Sequence, residues 1–203
     1  MPLHQIKTVS DTSKVGVWKI TESVNELKLS LENKGFNTSQ LLNTKNEQRL
    51  KQWLAIRLLL YYFFDHYELN YDKLGKPHLN NKHTISISHS GNYAVVIVDK
   101  KNNCGIDIEK ISPKVERIKH KFLNENDLTN YSSLKDLTTL WCAKESLYKY
   151  YGKKEVLFIE HLSIKDFNPP QKSFNGIIKI NNTIKNLRMR FDEIEDFILV
   201  YTY

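Results

Sequence analysis

CGIDIEKI, residues 104–111, reads as a short β-strand halfway along a 203-residue chain, and that reading decides the fold. Before it, the chain has already run through a strand at residues 15–20 (VGVWKI), a first helix over 23–31, a long helix and a pair of strands. The long helix starts at a capping-box pattern, Thr44 with Glu47, and continues largely buried to about His66. The strands, residues 84–88 and 93–99 (YAVVIVD), form a hairpin around Ser90–Asn92, and the unbroken apolar run of the second marks it as central. After residue 111 come an irregular helical segment opened by Pro113 and ending near Leu128, then an amphipathic helix over 134–151 with Ser133 as N-cap and Gly152 as stop. Strand-like segments near 157–164, 174–180, 186–191 and 197–203 close the chain. Strand, helix and strands thus occur twice. The expectation is an α+β protein of two similar halves, residues 1–102 and 103–203, related by a pseudo-twofold axis with one cleft between them.

Composition narrows the function classes. With 40% hydrophobic and 26% charged residues the chain is ordinary globular material, so a folded, soluble protein is expected. Residues 1–14 lack the apolar run of a secretory signal. The longest apolar stretch, residues 53–64, is short for a bilayer and carries Arg57. A cytoplasmic location without membrane engagement follows as an expectation. Cys104 and Cys142 lie far apart with no CxxC or Cys/His cluster, which argues against a disulfide framework or a zinc site and for two reduced, buried thiols. The formal charge of +7 is spread evenly, with 13 Lys+Arg against 9 Asp+Glu in residues 1–100 and 17 against 14 in residues 101–203. Such an excess suits an anionic small molecule or an acidic protein and lacks the clustering of a nucleic-acid surface.

Three clusters can carry chemistry. Asp107 and Glu109 alternate along the strand, so both carboxylates share one side while Ile106 and Ile108 take the other. Alone, Asp-x-Glu is most often a solvated strand face; with a third carboxylate it becomes a site for a hard cation such as magnesium. In the 134–151 helix, Leu134, Leu137, Leu140, Trp141, Leu147, Tyr148 and Tyr151 form one apolar stripe. Lys144 falls inside that stripe, Glu145 at its border and Lys149 one turn further on, a pattern that by itself reads as an i,i+4 pair beside a snorkelling lysine. The third cluster, Ser86 to Gly91 (SISHSG), could receive a phosphate or could be an ordinary hairpin turn, and Gly75–Lys76–Pro77 upstream presents a cation on a rigid turn.

Taken together, GKPHL at 75–79, ISISHSG at 85–91, CGIDIEKI at 104–111, FLNEND at 122–127 and WCAKESLYKYYG at 141–152 resemble the 4'-phosphopantetheinyl transferase family in order and spacing. The resemblance covers about residues 45–155, and the length is similar to that of the larger, two-lobed, monomeric surfactin-synthetase-activating class. It implies that Asp107, Glu109 and Glu145, with the metal site in the C-terminal half, hold magnesium together with the pyrophosphate of coenzyme A. Lys149 would contact the same phosphates. Ser88, His89 and Lys76 would bind the nucleotide end with its 3'-phosphate, and Arg49, ranked above Arg57, would add a basic group from the first long helix. Lys144 is counted with these coenzyme A contacts. A carboxylate in 122–127 is expected to assist deprotonation; the matching position is Asp127, with Glu125 as the substitute.

The reaction so implied is attack by a carrier-protein serine on coenzyme A, aided by Glu145, Lys149 and Asp127, releasing adenosine 3',5'-bisphosphate. The partners are coenzyme A and an apo acyl or peptidyl carrier protein, an acidic molecule that the enzyme's positive charge would attract. Two rival classes stay open on the residues alone. One is a basic nucleic-acid-binding or metal-dependent phosphodiester-cleaving protein; the other is a binding module that kept the fold without the activity.

Overall fold

Residues 3–38 and 43–203 are described by the computed structural model, and their main elements form two antiparallel sheets, each covered by a long helix. The first half contains β1 (Leu3–Thr8), β2 (Ser13–Lys19), α1 (Val24–Glu32), α2 (Glu47–Leu60), a small ribbon of β3 (Leu69–Tyr71) and β4 (Pro77–Leu79), and the hairpin β5 (Thr84–Ser90) and β6 (Tyr93–Asp99). The second contains β7 (Ile106–Lys110), short helices α3 (Lys114–Ile118) and α4 (Glu125–Asn130), the long α5 (Leu134–Tyr151), α6 (Phe158–His161), and β8 (Leu162–Lys165), β9 (Ser173–Ile180), β10 (Thr183–Ile194) and β11 (Phe197–Thr202). Strand order is β1-β2-β6-β5 in one sheet and β7-β11-β10-β9-β8 in the other. The α+β class stands.

Four layers result, and the strand patterns explain them. Along β6, Ala94, Val96 and Val98 join the apolar cluster of α1 and α2, while Tyr93, Val95 and Ile97 join one with Ile106 and Ile108 of β7 and Leu199 and Tyr201 of β11. β11 repeats the arrangement, sending Phe197, Leu199 and Tyr201 to the sheet–sheet layer and Ile198 and Val200 to the cluster with Cys142, Ala143 and Leu147 of α5. Both strands are buried from end to end because each has a helix on one face and the other sheet on the opposite one. Cys104 and Cys142 are free and buried, and no helix among the described residues is long and apolar enough to cross a membrane.

Local signals set several boundaries. Ser133 accepts from the Asp136 N–H and Gly152 ends α5 at φ +69°, as the capping pattern predicts. Other expectations shift. The N-cap of α2 is Asn46, which accepts from the Arg49 N–H, not Thr44, and the helix stops at Leu60 because residues 61–63 form a turn. The expected strand over 157–164 divides into α6 and β8, and the helix toward Leu128 divides into α3 and α4. β1 went unforeseen.

Candidate active site

Asp107 and Glu109 leave β7 on the side opposite Ile106 and Ile108, as strand alternation requires, and α5 packs over that side. Gly105 makes the approach close enough: a Cβ there would fall onto the carbonyl oxygen of Ser146 in α5. The helix thereby brings Glu145 and Lys149 to the strand. Together with Arg49 and Trp53 of α2, Tyr71 and Pro77 of the ribbon, Ser88 and His89 of β5, and Trp141, these groups line one cavity of about 550 Å³. A second cavity of about 230 Å³ shares Gly75, Pro77, Ile87 and Lys149 with the first and adds Lys76, Lys153 and Lys154.

The charges in the larger cavity are only partly matched. Asp107 is 4% exposed; its Oδ1 accepts from Ser88 Oγ at 2.7 Å and from Lys149 Nζ at 2.7 Å, while its buried Oδ2 has no hydrogen-bond partner among the described residues. Lys149 thus pairs across to β7 instead of with Glu145 on its own helix. Ser90 donates to Glu109 at 2.9 Å, a contact no sequence motif signalled. Burial first, and the charge of Asp107 second, push the Glu145 carboxyl up to about 7, and the same two causes raise Glu109. His89 is lowered by burial and then by the charges of Lys149 and Arg49. The donors are all hard oxygens, and the orphaned carboxylate oxygen is what a divalent cation would satisfy, so the residues fit magnesium by chemistry. As they stand, no three acidic, histidine or cysteine side chains among the described residues form a ready-made ligand set; Oδ1 of Asp107 is occupied by Lys149 and Ser88, and Oε2 of Glu109 by Ser90.

Five sequence-assigned residues lie outside the larger cavity. Lys144 is 1% exposed and donates to the backbone carbonyls of Phe122 and Phe158, not to the cavity, and burial lowers its ammonium to about 8. Arg57 does not line the cavity; its guanidinium stacks 3.1 Å from the ring centre of Trp53, which does, and burial lowers it to about 10. Asp127 serves the capping box of α4, where its carboxylate faces the Asn124 N–H at 3.4 Å. Glu125 is exposed. Lys76 belongs to the second cavity, its stem lying across Gly152. Trp53, Tyr71 and Trp141 are cavity residues that the motif reading did not assign. Their apolar character gave no sign that they face a site instead of a core.

The 4'-phosphopantetheinyl transferase superfamily description matches residues 103–200, the half that holds Asp107, Glu109, Glu145 and Lys149. That half of the chain is similar to this superfamily. Its relatives include the Bacillus subtilis protein named 4'-phosphopantetheinyl transferase ffp, 34% identical over 101 residues, which cover 47% of this chain and 44% of that protein. A Synechocystis sp. protein bearing the same family designation, slr0495, is 29% identical over 126 residues, covering 54% of this chain and 51% of its own. The matches therefore span about half the length of these superfamily relatives.

Proposed function

We propose that this chain is a transferase that moves the 4'-phosphopantetheine arm of coenzyme A onto a serine of an apo acyl or peptidyl carrier protein, with magnesium in the larger cavity and adenosine 3',5'-bisphosphate as second product. One observation carries the reading: a buried aspartate with an unpartnered oxygen, Asp107, shares a cavity with Glu109, Glu145, Lys149 and Arg49. Buried carboxylates without matching donors raise the free energy of the fold, so their grouping is explained by a cationic ligand. The similarity of residues 103–200 to the superfamily adds independent support.

Asp107, Glu109 and Glu145 would hold the magnesium, which when bound stabilises negative charge on phosphoryl oxygens. Lys149 lies at the junction of the two cavities and would hold the diphosphate there through its ammonium. Arg49 and His89 would orient the nucleotide end. The serine Oγ forms a bond to the phosphorus that bears the pantetheine arm as the bond from that phosphorus to the bridging oxygen breaks. The serine proton passes to the Glu145 carboxylate in the cavity wall, or through water to Asp127. Trp141 and Trp53 help to exclude water from the cavity.

The same reading makes residues 1–102 and 103–203 the two lobes of a larger-class, monomeric member acting in the cytoplasm, and makes transfer fall with salt as attraction to an acidic carrier is screened. The test is to incubate the protein with coenzyme A, magnesium and an apo carrier and to look for the phosphopantetheine mass increment on the carrier serine. A Glu109→Ala variant should stay folded and lose the increment; full activity in that variant would remove the metal assignment.

A further inference from the structure

The helix that carries Glu145 and Lys149 also carries a charged side chain facing away from the cavity. The Lys144 ammonium donates to the carbonyl oxygen of Phe122 and, at 2.9 Å, to that of Phe158. Phe122 closes the turn that leads to α4, and Phe158 begins α6, so two segments distant in sequence end on one amine. The rings of the same two residues flank Trp141, with centroids 5.1 Å and 5.7 Å away and the Phe158 ring stacked within 23°. Trp141 lies three residues before Lys144 on α5 and lines the cavity with Glu145. Burying an ammonium is costly, and here the cost is offset by the two carbonyls that accept from it, which ties both segments to one point on α5.

We propose that Lys144 is a positioning residue: by gathering the Phe122 and Phe158 carbonyls on one ammonium it fixes the two rings that grip Trp141, and with them the cavity wall that Trp141 shares with Glu145. It touches neither coenzyme A nor carrier. The kinetic readout rests on the transferase reading, whereas the spectroscopic readout does not.

The test compares the full-length protein with Lys144→Met, Trp141→Phe and the double variant. Lys144→Met should lower kcat for carrier modification about tenfold, the scale that follows from small misplacement of a site wall, with KM for coenzyme A within about twofold. Its melting temperature should fall by up to about 10 °C with the protein still folded, because the Phe122 and Phe158 carbonyls lose their donor while the cost of burying the ammonium is relieved. Its tryptophan emission should shift, and that shift should vanish in the Trp141→Phe background, where the further loss in kcat should be under about threefold. A rise in KM with kcat unchanged, losses that multiply in the double variant, or unaltered emission would overturn the proposal. Should Lys144→Met not fold, Phe158→Leu keeps the carbonyl and removes one ring from Trp141; it should lower kcat and shift the emission, and wild-type values for both would overturn the proposal. If the wild type transfers nothing, the function reading fails, and the emission comparison still decides the role of Lys144.

Discussion

Asp99 and Asp107 are each 4% exposed, eight residues apart, yet their surroundings differ in kind. Asp99 ends β6 and accepts from Ser13 Oγ, from Thr12 Oγ1 at 3.1 Å, and from the Lys101 and Asn102 N–H groups at 2.7 Å each. Burial works against its charge, but these donors outweigh it and hold the carboxyl below its ordinary value. Asp107 has its two donors on one oxygen and an orphan on the other. Equal burial therefore says little about purpose. A fully satisfied carboxylate ties chain segments together, while a half-satisfied one beside two more acids is suited to a ligand.

The comparison can be broken by exchanging each aspartate for asparagine. Asp107→Asn should reduce phosphopantetheine transfer by at least about a hundredfold while the protein stays folded with a melting temperature within about 5 °C of the wild type, since relief of repulsion from Glu109 and Glu145 offsets loss of the ion pair with Lys149. Lost activity with lost folding would make Asp107 another structural tie. Gly105→Ala should come next, slowing transfer by about tenfold to a hundredfold because α5 must move off β7, and costing about 1–3 kcal/mol of stability in denaturant unfolding. Asp99→Asn should show the reverse pattern, with about 1–3 kcal/mol of stability lost and activity per folded molecule kept. The sign of its pH dependence is also set. A carboxyl whose pKa is lowered by folding contributes above its unfolded value and loses that contribution as pH falls through the folded one, so the stability gap between wild type and Asp99→Asn should narrow in acid below about pH 4. The smallest effect is expected at Asp127, where Asn should slow transfer by less than about tenfold, short of the 10²–10⁴ that a direct general base supplies. A larger loss would transfer the proton-accepting role from Glu145 to Asp127.

What could be read from the chain follows the range of the interactions. The ends of α5 were legible because Ser133 and Gly152 act on their own neighbours, and the common side of Asp107 and Glu109 was legible because strand alternation is local. β1 was not, since LHQIKT has few apolar residues and is held as a strand by its register with β2. Tyr61–Phe63 continued the apolar run of α2 in sequence but turn in the structure, so apolarity alone overextended the helix. At the site, the motif residues of β7 and α5 line one cavity. The pairing of Lys149 with Asp107 and the retreat of Lys144 were hidden, the first because it crosses between elements and the second because its acceptors are backbone carbonyls 22 and 14 residues away, which leave no mark on side-chain patterns.

Asp107, Glu109 and Glu145 are proposed to share one divalent cation. Titration of manganese, followed by its paramagnetic resonance signal in the presence of coenzyme A, tests this most directly in the wild type and in Glu145→Gln. One bound ion in the wild type, with affinity weakened at least about tenfold in the variant, is the predicted result. Equal binding by both proteins would contradict it.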